Sequence, residues 1–327
     1  MATDRGPSLQ FSLYVKASAI DKMSQGADPI CQQFSLMSWL LARSHSEMEF
    51  KIFSVQADCP PKHLLPDAWS NKFPLVIVES GLDKNGKDLS GTTYDTFEDL
   101  ELFFESINTE CRELKRNNMP NRLAMVAVKN VFLAFNHFLG GQPDTNLVAE
   151  LKKLDDYLER QDTRYLVDDV MSFSDCHLIP RLQHIRVAGK AYRDFDIPKE
   201  FSYVWRYLVE VYEHDAFTTT MPSDQDIVFF YENKAKVVVP PKRRSLPTLE
   251  KFSYLLEIPE ECVQNLPDYK KRVSQLRAPP ISRRMESLEG ADAVFGPRFQ
   301  KLKDQMDDNI RKEVNHKQAN RQAECEE

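Results

Sequence analysis

From residue 9 to residue 17 the chain reads LQFSLYVKA, with apolar and polar positions alternating at the period of a half-buried strand. The next stretch, 26-GADPICQQFSLMSWLLA-42, changes period. Asp28 suits an N-cap, Pro29 the first helical position, and Ile30, Phe34, Met37 and Leu41 recur at helical spacing, which predicts an amphipathic helix. Alternation returns in 49-EFKIFSVQA-57, a second strand. A β-branched run entered through a proline, 73-FPLVIVE-79, predicts a third, and 95-DTFEDLELFFESI-107 reads as a second amphipathic helix. Strand, helix, strand, strand and helix in this order predict a small α/β unit.

That order is a thioredoxin-like pattern. After 116-RNNMPN-121 the strand signals stop, and helical periodicity covers 122–139, 146–160, 174–190, 199–213 and 224–236. The fold class expected is therefore α/β plus all-α. A thioredoxin-like domain occupies residues 1–110 and an all-helical domain residues 120–236. From Val237 onwards PPKRR, SLPTLE and APPISRR punctuate the sequence, so 237–327 is expected to be a polar extension, largely disordered, with one or two short helices.

Composition narrows the classes of function. The formal charge of −7 and the polar first residues, MATDRGPSLQ, argue against a nucleic-acid binder and against a secretory signal, so a cytoplasmic protein is expected. From Pro240 on, 17 Lys/Arg face 15 Asp/Glu, which places the acidic excess on the preceding body. Six cysteines lie scattered with no C-x-x-C and no metal-ligand spacing, so reduced thiols and no metal site are expected. The most apolar window, 123-LAMVAVKNVFLAFNHFLGG-141, is interrupted by Lys129, Asn130, Asn136 and His137, and reads as a buried helix. Lys242, Arg243 and Arg244 before Ser245 read as a solvated linker, with a kinase site or an anionic-lipid contact as the functional alternatives.

Several pieces together carry a resemblance: LYVKAS at 13–18, GADPICQQF at 26–34, Lys72-Phe73-Pro74 ahead of a strand, SFSDCHLIPRLQHIRV at 172–187, YRDFDIPKEF at 192–201 and AFTTTMPSDQDI at 216–227. In this order the chain resembles the chloride intracellular channel family over residues 9 to about 236, its invertebrate and especially nematode members above all. The resemblance implies a glutathione-transferase fold that is monomeric when soluble. It also implies a protein able to insert into membranes and conduct chloride and other anions, with membrane lipids and chloride as partners and reversible association with intracellular or plasma membranes.

The sites follow from the residues and from that likeness. In vertebrate relatives the position of Asp28 holds a cysteine, in a Cys-Pro whose thiol the helix N-terminus activates. Asp28-Pro29 keeps an anion there and loses the sulfur chemistry. Cys31 takes the resolving position, where the Asp28 carboxylate opposes a second negative charge. Catalysis is therefore not expected, and the alternatives are a glutathione-dependent transferase or thiol oxidoreductase on the same fold, or a non-conducting soluble scaffold.

Lys16, Phe73 and Pro74 mark a possible glutathione or anion cleft. The sequence leaves the Phe73–Pro74 bond open between cis and trans, and 92-TTYDTFED-99 holds candidates for the γ-glutamyl end. No cofactor is required, glutathione being the one ligand considered. The segment expected to enter a membrane carries Ile30, Phe34, Leu36, Met37, Trp39, Leu40 and Leu41. Its apolar part, Ile30 to Ala42, reaches roughly 20 Å as a helix against a hydrocarbon core of about 30 Å. Ser172 and Asp175 form an S-x-x-D capping box, read as structural.

Overall fold

A computed structural model describes residues 9–44, 48–56, 59, 72–108, 111–232 and 252–269. The alternating runs become β1 (Gln10–Lys16) and β2 (Glu49–Val55), the β-branched run becomes β3 (Leu75–Ser80), and a short β4 (Thr93–Tyr94) completes a sheet ordered β2-β1-β3-β4. β1 runs parallel to β2 and antiparallel to β3, and β3 antiparallel to β4. The parallel pair requires a crossover, which α1 (Pro29–Ser44) supplies. Sequence periodicity predicts a half-buried β1, whereas both of its faces are covered. Phe11, Leu13 and Val15 enter the core with Phe34 of α1 and with Phe103 and Phe104 of α2 (Phe97–Ile107). Ser12 and Tyr14 are buried on the opposite face, where Tyr14 stacks on Phe53.

The helical layer begins with a 3-10 turn, Arg112–Leu114, followed by α3 (Met119–Val128), α4 (Val131–Leu139), α5 (Thr145–Gln161) and α6 (Phe173–Arg193). α7 (Ser202–Tyr212), α8 (Asp215–Thr220) and α9 (Asp224–Glu232) follow. The single helix expected over 122–139 is two, because the chain breaks at Lys129 and Asn130. α6 is the axis of this layer. Its capping box is present, with Ser172 N–H donating to Asp175 Oδ2 at 2.8 Å, and Leu166 N–H and the Tyr207 hydroxyl donate to the other oxygen of the same carboxylate at 2.9 Å each.

The boundary expected at residue 236 falls short. Residues 252–269 return to the body, carrying α10 (Glu260–Gln264), and one compact unit extends as far as Tyr269. The returning segment has little apolar periodicity, and it is held instead by side chains of the helical layer. Arg186, 2% exposed, donates to the Glu257 carbonyl at 2.9 Å while its guanidinium lies 4.9 Å from the centre of the Trp205 ring. Gln183 donates to the Leu255 carbonyl, Asp224 accepts from Leu255 N–H, and the Arg206 guanidinium sits 4.1 Å from the Tyr269 ring. Lys242, Arg243, Arg244 and Ser245 lie outside the described residues, as do residues 270–327.

Candidate functional site

The turn between β1 and α1 is set by a close backbone approach. Gly26 N–H donates to the Lys16 carbonyl at 2.8 Å, and a Cβ on Gly26 would stand 2.6 Å from the Ala17 oxygen, so the position requires glycine. This turn places Asp28 directly before α1. Its Oδ1 accepts from Ile30 N–H at 2.8 Å and from Cys31 N–H at 3.2 Å, which satisfies two of the donors that a helix start leaves open. A thiol at this place would be the nucleophile of a disulfide exchange. A carboxylate is a cap and a fixed anion.

Cys31 is fully buried beneath it. Burial, and then the Asp28 charge, push the Cys31 thiol well above the ordinary range, against a weaker opposite pull from Lys16. Cys176 on α6 is likewise enclosed and raised by burial, with Asp175 beside it. Neither thiol is poised to ionise near neutral pH. Lys16 is exposed at the end of β1, and among the described residues no ion pair joins it to Asp28. The Phe73–Pro74 bond is cis. Among the candidates at 92–99, Thr96 and Asp99 are engaged with each other as the cap of α2, with Asp99 N–H donating to Thr96 Oγ1 at 3.2 Å.

The proposed membrane segment lies inside the fold. Phe34, Leu36, Met37 and Leu41 are enclosed, and Ile30, Trp39 and Leu40 are half-buried against the core. The amphipathic reading of α1 fails on its polar side: Gln32 and Gln33 are 1% and 0% exposed, and Ser35 and Ser38 are buried too. The reason is tertiary, since α1 packs on β1 and β2 with one side and on α6 and α8 with the other. Among the described residues, no helix is long and apolar enough to cross a membrane.

Two groups that the sequence did not single out meet at the α1–α6 contact. Arg181, 8% exposed, donates through Nη1 to Gln33 Oε1 at 3.2 Å and to the His177 carbonyl, and lies 5.6 Å from the centre of the Phe132 ring. Burial lowers Arg181 to about 10, against the opposing attraction of Asp28. Burial and the neighbouring Arg181 charge hold the His177 imidazole down to about 3. The sequence alone does not mark them, because the Arg181 contact is made to Gln33, 148 residues earlier. Among the described residues, no group of three or more His, Cys, Asp or Glu side chains is placed to hold a metal ion.

The sheet and the helical layer are also tied at the exit of β1. Asp226, at the start of α9, accepts from the Ser18 hydroxyl, from Ala19 N–H at 3.0 Å and from the Ser223 hydroxyl at 2.9 Å.

Comparison with known proteins follows this geometry. No protein-family model matches the chain. The chloride intracellular channel Clic of Drosophila melanogaster is 31% identical over 237 residues, which cover 68% of this chain and 81% of the relative. The crystal structure of the CLIC homologue EXC-4 from Caenorhabditis elegans superposes with a TM-score of 0.65 at 25% identity, covering 79% of this chain and 96% of that one. A dehydroascorbate reductase from Chlamydomonas reinhardtii shares the fold alone, with a TM-score of 0.53 at 20% identity, covering 68% of this chain and 97% of the reductase.

Proposed function

The chain belongs to the chloride intracellular channel family, and we propose that it works as a protein of that kind, folded in the cytoplasm in one state and associated with membranes in another, where it passes chloride or other anions. The observation that carries this reading is the cap made by Asp28. An enzyme of thiol chemistry needs a nucleophile at that helix start, and the carboxylate there spends an oxygen on two backbone N–H groups. Glutathione entering the cleft beside Phe73 and Pro74 would meet no thiol with which to form a disulfide. No cofactor is needed for the proposed role, and its partners are membrane lipids and chloride.

A non-conducting soluble scaffold is the second reading. It is favoured by the burial of α1 on both sides and by the short reach of its apolar run. The test is chloride efflux from liposomes on addition of the purified full chain, run beside a glutathione-dependent disulfide reductase assay. Efflux without reductase activity supports the channel-type role. Absence of efflux across lipid compositions and pH leaves the scaffold, and reductase turnover that survives Cys31→Ser restores the enzyme.

A further inference from the structure

Arg181 carries a positive charge into the contact between α1 and α6, and among the described residues it has no carboxylate within ion-pair distance. A largely buried guanidinium without a counter-ion is costly unless solvent or an anion compensates it. Both of its hydrogen bonds use Nη1. Nε and Nη2 are not among the enclosed polar atoms without a partner, so this edge reaches solvent, and its planar geometry matches a carboxylate at two points.

Gln33 supplies the second observation. Its Oε1 faces the guanidinium, which fixes the orientation of the carboxamide, since the reverse would set donor against donor. Its Nε2 is then a buried donor with no partner, on a side chain that is fully enclosed. His177 adds a buried Nδ1 without a partner on a ring kept neutral beside Arg181. As a neutral ring His177 donates or accepts at Nδ1 according to its tautomer, so the donors short of an acceptor are those of the Arg181 guanidinium and Gln33 Nε2. Asp28 acts on the same guanidinium from beyond ion-pair distance, with Oδ1 already committed to α1.

We propose that Arg181 and the carboxamide of Gln33 form a binding site between α1 and α6 for the carboxylate of a small monovalent organic acid. The site goes beyond the role proposed above. The charge balance selects the class. One guanidinium neutralises one negative charge, and a dianion such as phosphate would add unmatched charge next to Asp28. A water molecule would satisfy Gln33 Nε2 and leave the charge uncompensated. The Phe132 ring, 5.6 Å from the guanidinium, gives a short alkyl group an apolar neighbour.

The experiment is isothermal titration of the full chain with sodium acetate and sodium propionate at pH 7 in chloride-free buffer, with sodium chloride and reduced glutathione as separate arms. Saturable binding of acetate is expected, weakened roughly 30-fold or more in Arg181→Gln. It should be weakened in Gln33→Leu, which keeps the charge, and tightened in Asp28→Asn, which keeps a good cap but removes the repelling carboxylate. Where Arg181→Gln fails to fold, as judged by circular dichroism, the Gln33→Leu and Asp28→Asn results decide. Absence of saturable binding in the wild type, or equal binding in the variants, overturns the site. Chloride binding as tightly as acetate and displacing it overturns the carboxylate assignment. Displacement of acetate by glutathione overturns the assignment to a small organic acid.

Discussion

The Ser18 hydroxyl lies 2.8 Å from each carboxylate oxygen of Asp226, a residue 208 positions further along the chain. With Ala19 N–H and the Ser223 hydroxyl on the same carboxylate, this contact fastens the exit of β1 to the start of α9. Ser18→Ala removes a buried donor from an acid and is expected to cost about 1.5–3 kcal/mol. Urea unfolding measures it. An unchanged midpoint would show that the contact contributes nothing to holding the layers together.

Asp175 accepts from Ser172 N–H, from the Ser172 hydroxyl, from Leu166 N–H and from the Tyr207 hydroxyl, all within the interior. Asp175→Ala strands these donors together, so a loss of about 3 kcal/mol or more is expected, well above the cost of an ordinary cap. Asp175→Asn retains one acceptor and should lose less. Thermal midpoints of the two variants that coincide would refute this.

For the helix start, the wild type is expected to show negligible glutathione-dependent disulfide reductase activity, and Asp28→Cys to gain some. The new thiol would stand where Ile30 and Cys31 N–H groups now meet a carboxylate oxygen, a setting that favours a thiolate. A folded Asp28→Cys protein without turnover would show that the cleft no longer holds glutathione.

His177 sets a pH dependence. Its folded pKa of about 3 lies below the ordinary value near 6.5, so between these limits the unfolded chain binds a proton that the folded chain refuses. The stability this provides is complete above about pH 6.5 and declines as pH falls, by up to about 1.4 kcal/mol per pH unit. Asp226 and Asp175, raised by burial, act in the opposite sense, so the His177 contribution is read as the difference between wild type and variant from pH 6.5 to 5.5. Chemical unfolding across this interval should show the decline in the wild type and a flatter profile in His177→Gln. Identical profiles would remove His177 from the explanation.

Trp39 reports on α1. It is half-buried, with its ring edge-on to Phe50 at 6.4 Å, so leaving the fold changes its surroundings. In a folded variant carrying Trp39 as its single tryptophan, quenching by bilayer-depth probes should be weak at pH 7 and rise towards pH 5, because neutralising charge lowers the cost of carrying a segment into lipid. No quenching anywhere in that range would count against insertion of this segment.

The parts of the fold that depend on local period were legible. Alternation marked β1 and β2, a β-branched run marked β3, and 3.6-residue spacing marked α2, α5 and α7 near their observed limits. What escaped depends on contacts between layers. Gln32 and Gln33 look like the solvated side of an amphipathic helix, and they are buried because α6 covers the face that period alone assigns to water. Residues 252–269 have little period to read, since part of their backbone is held by side chains of Gln183, Arg186 and Asp224. Asp28 was recognisable as a cap from its place before Pro29. Arg181 was not recognisable as part of a site, because its significance lies in the Gln33 carboxamide 148 residues earlier.

The hold of Arg186 on Glu257 also bears on how the protein is made. During synthesis α6 leaves the ribosome long before the residues that complete it, and until Glu257 follows, the Arg186 guanidinium lacks its carbonyl partner and Gln183 lacks Leu255. The helical layer therefore cannot mature as a nascent half. A chain interrupted shortly after α9 would present this unfinished surface to chaperones and proteases as though it were misfolded, although every helix from α3 to α9 had already been translated.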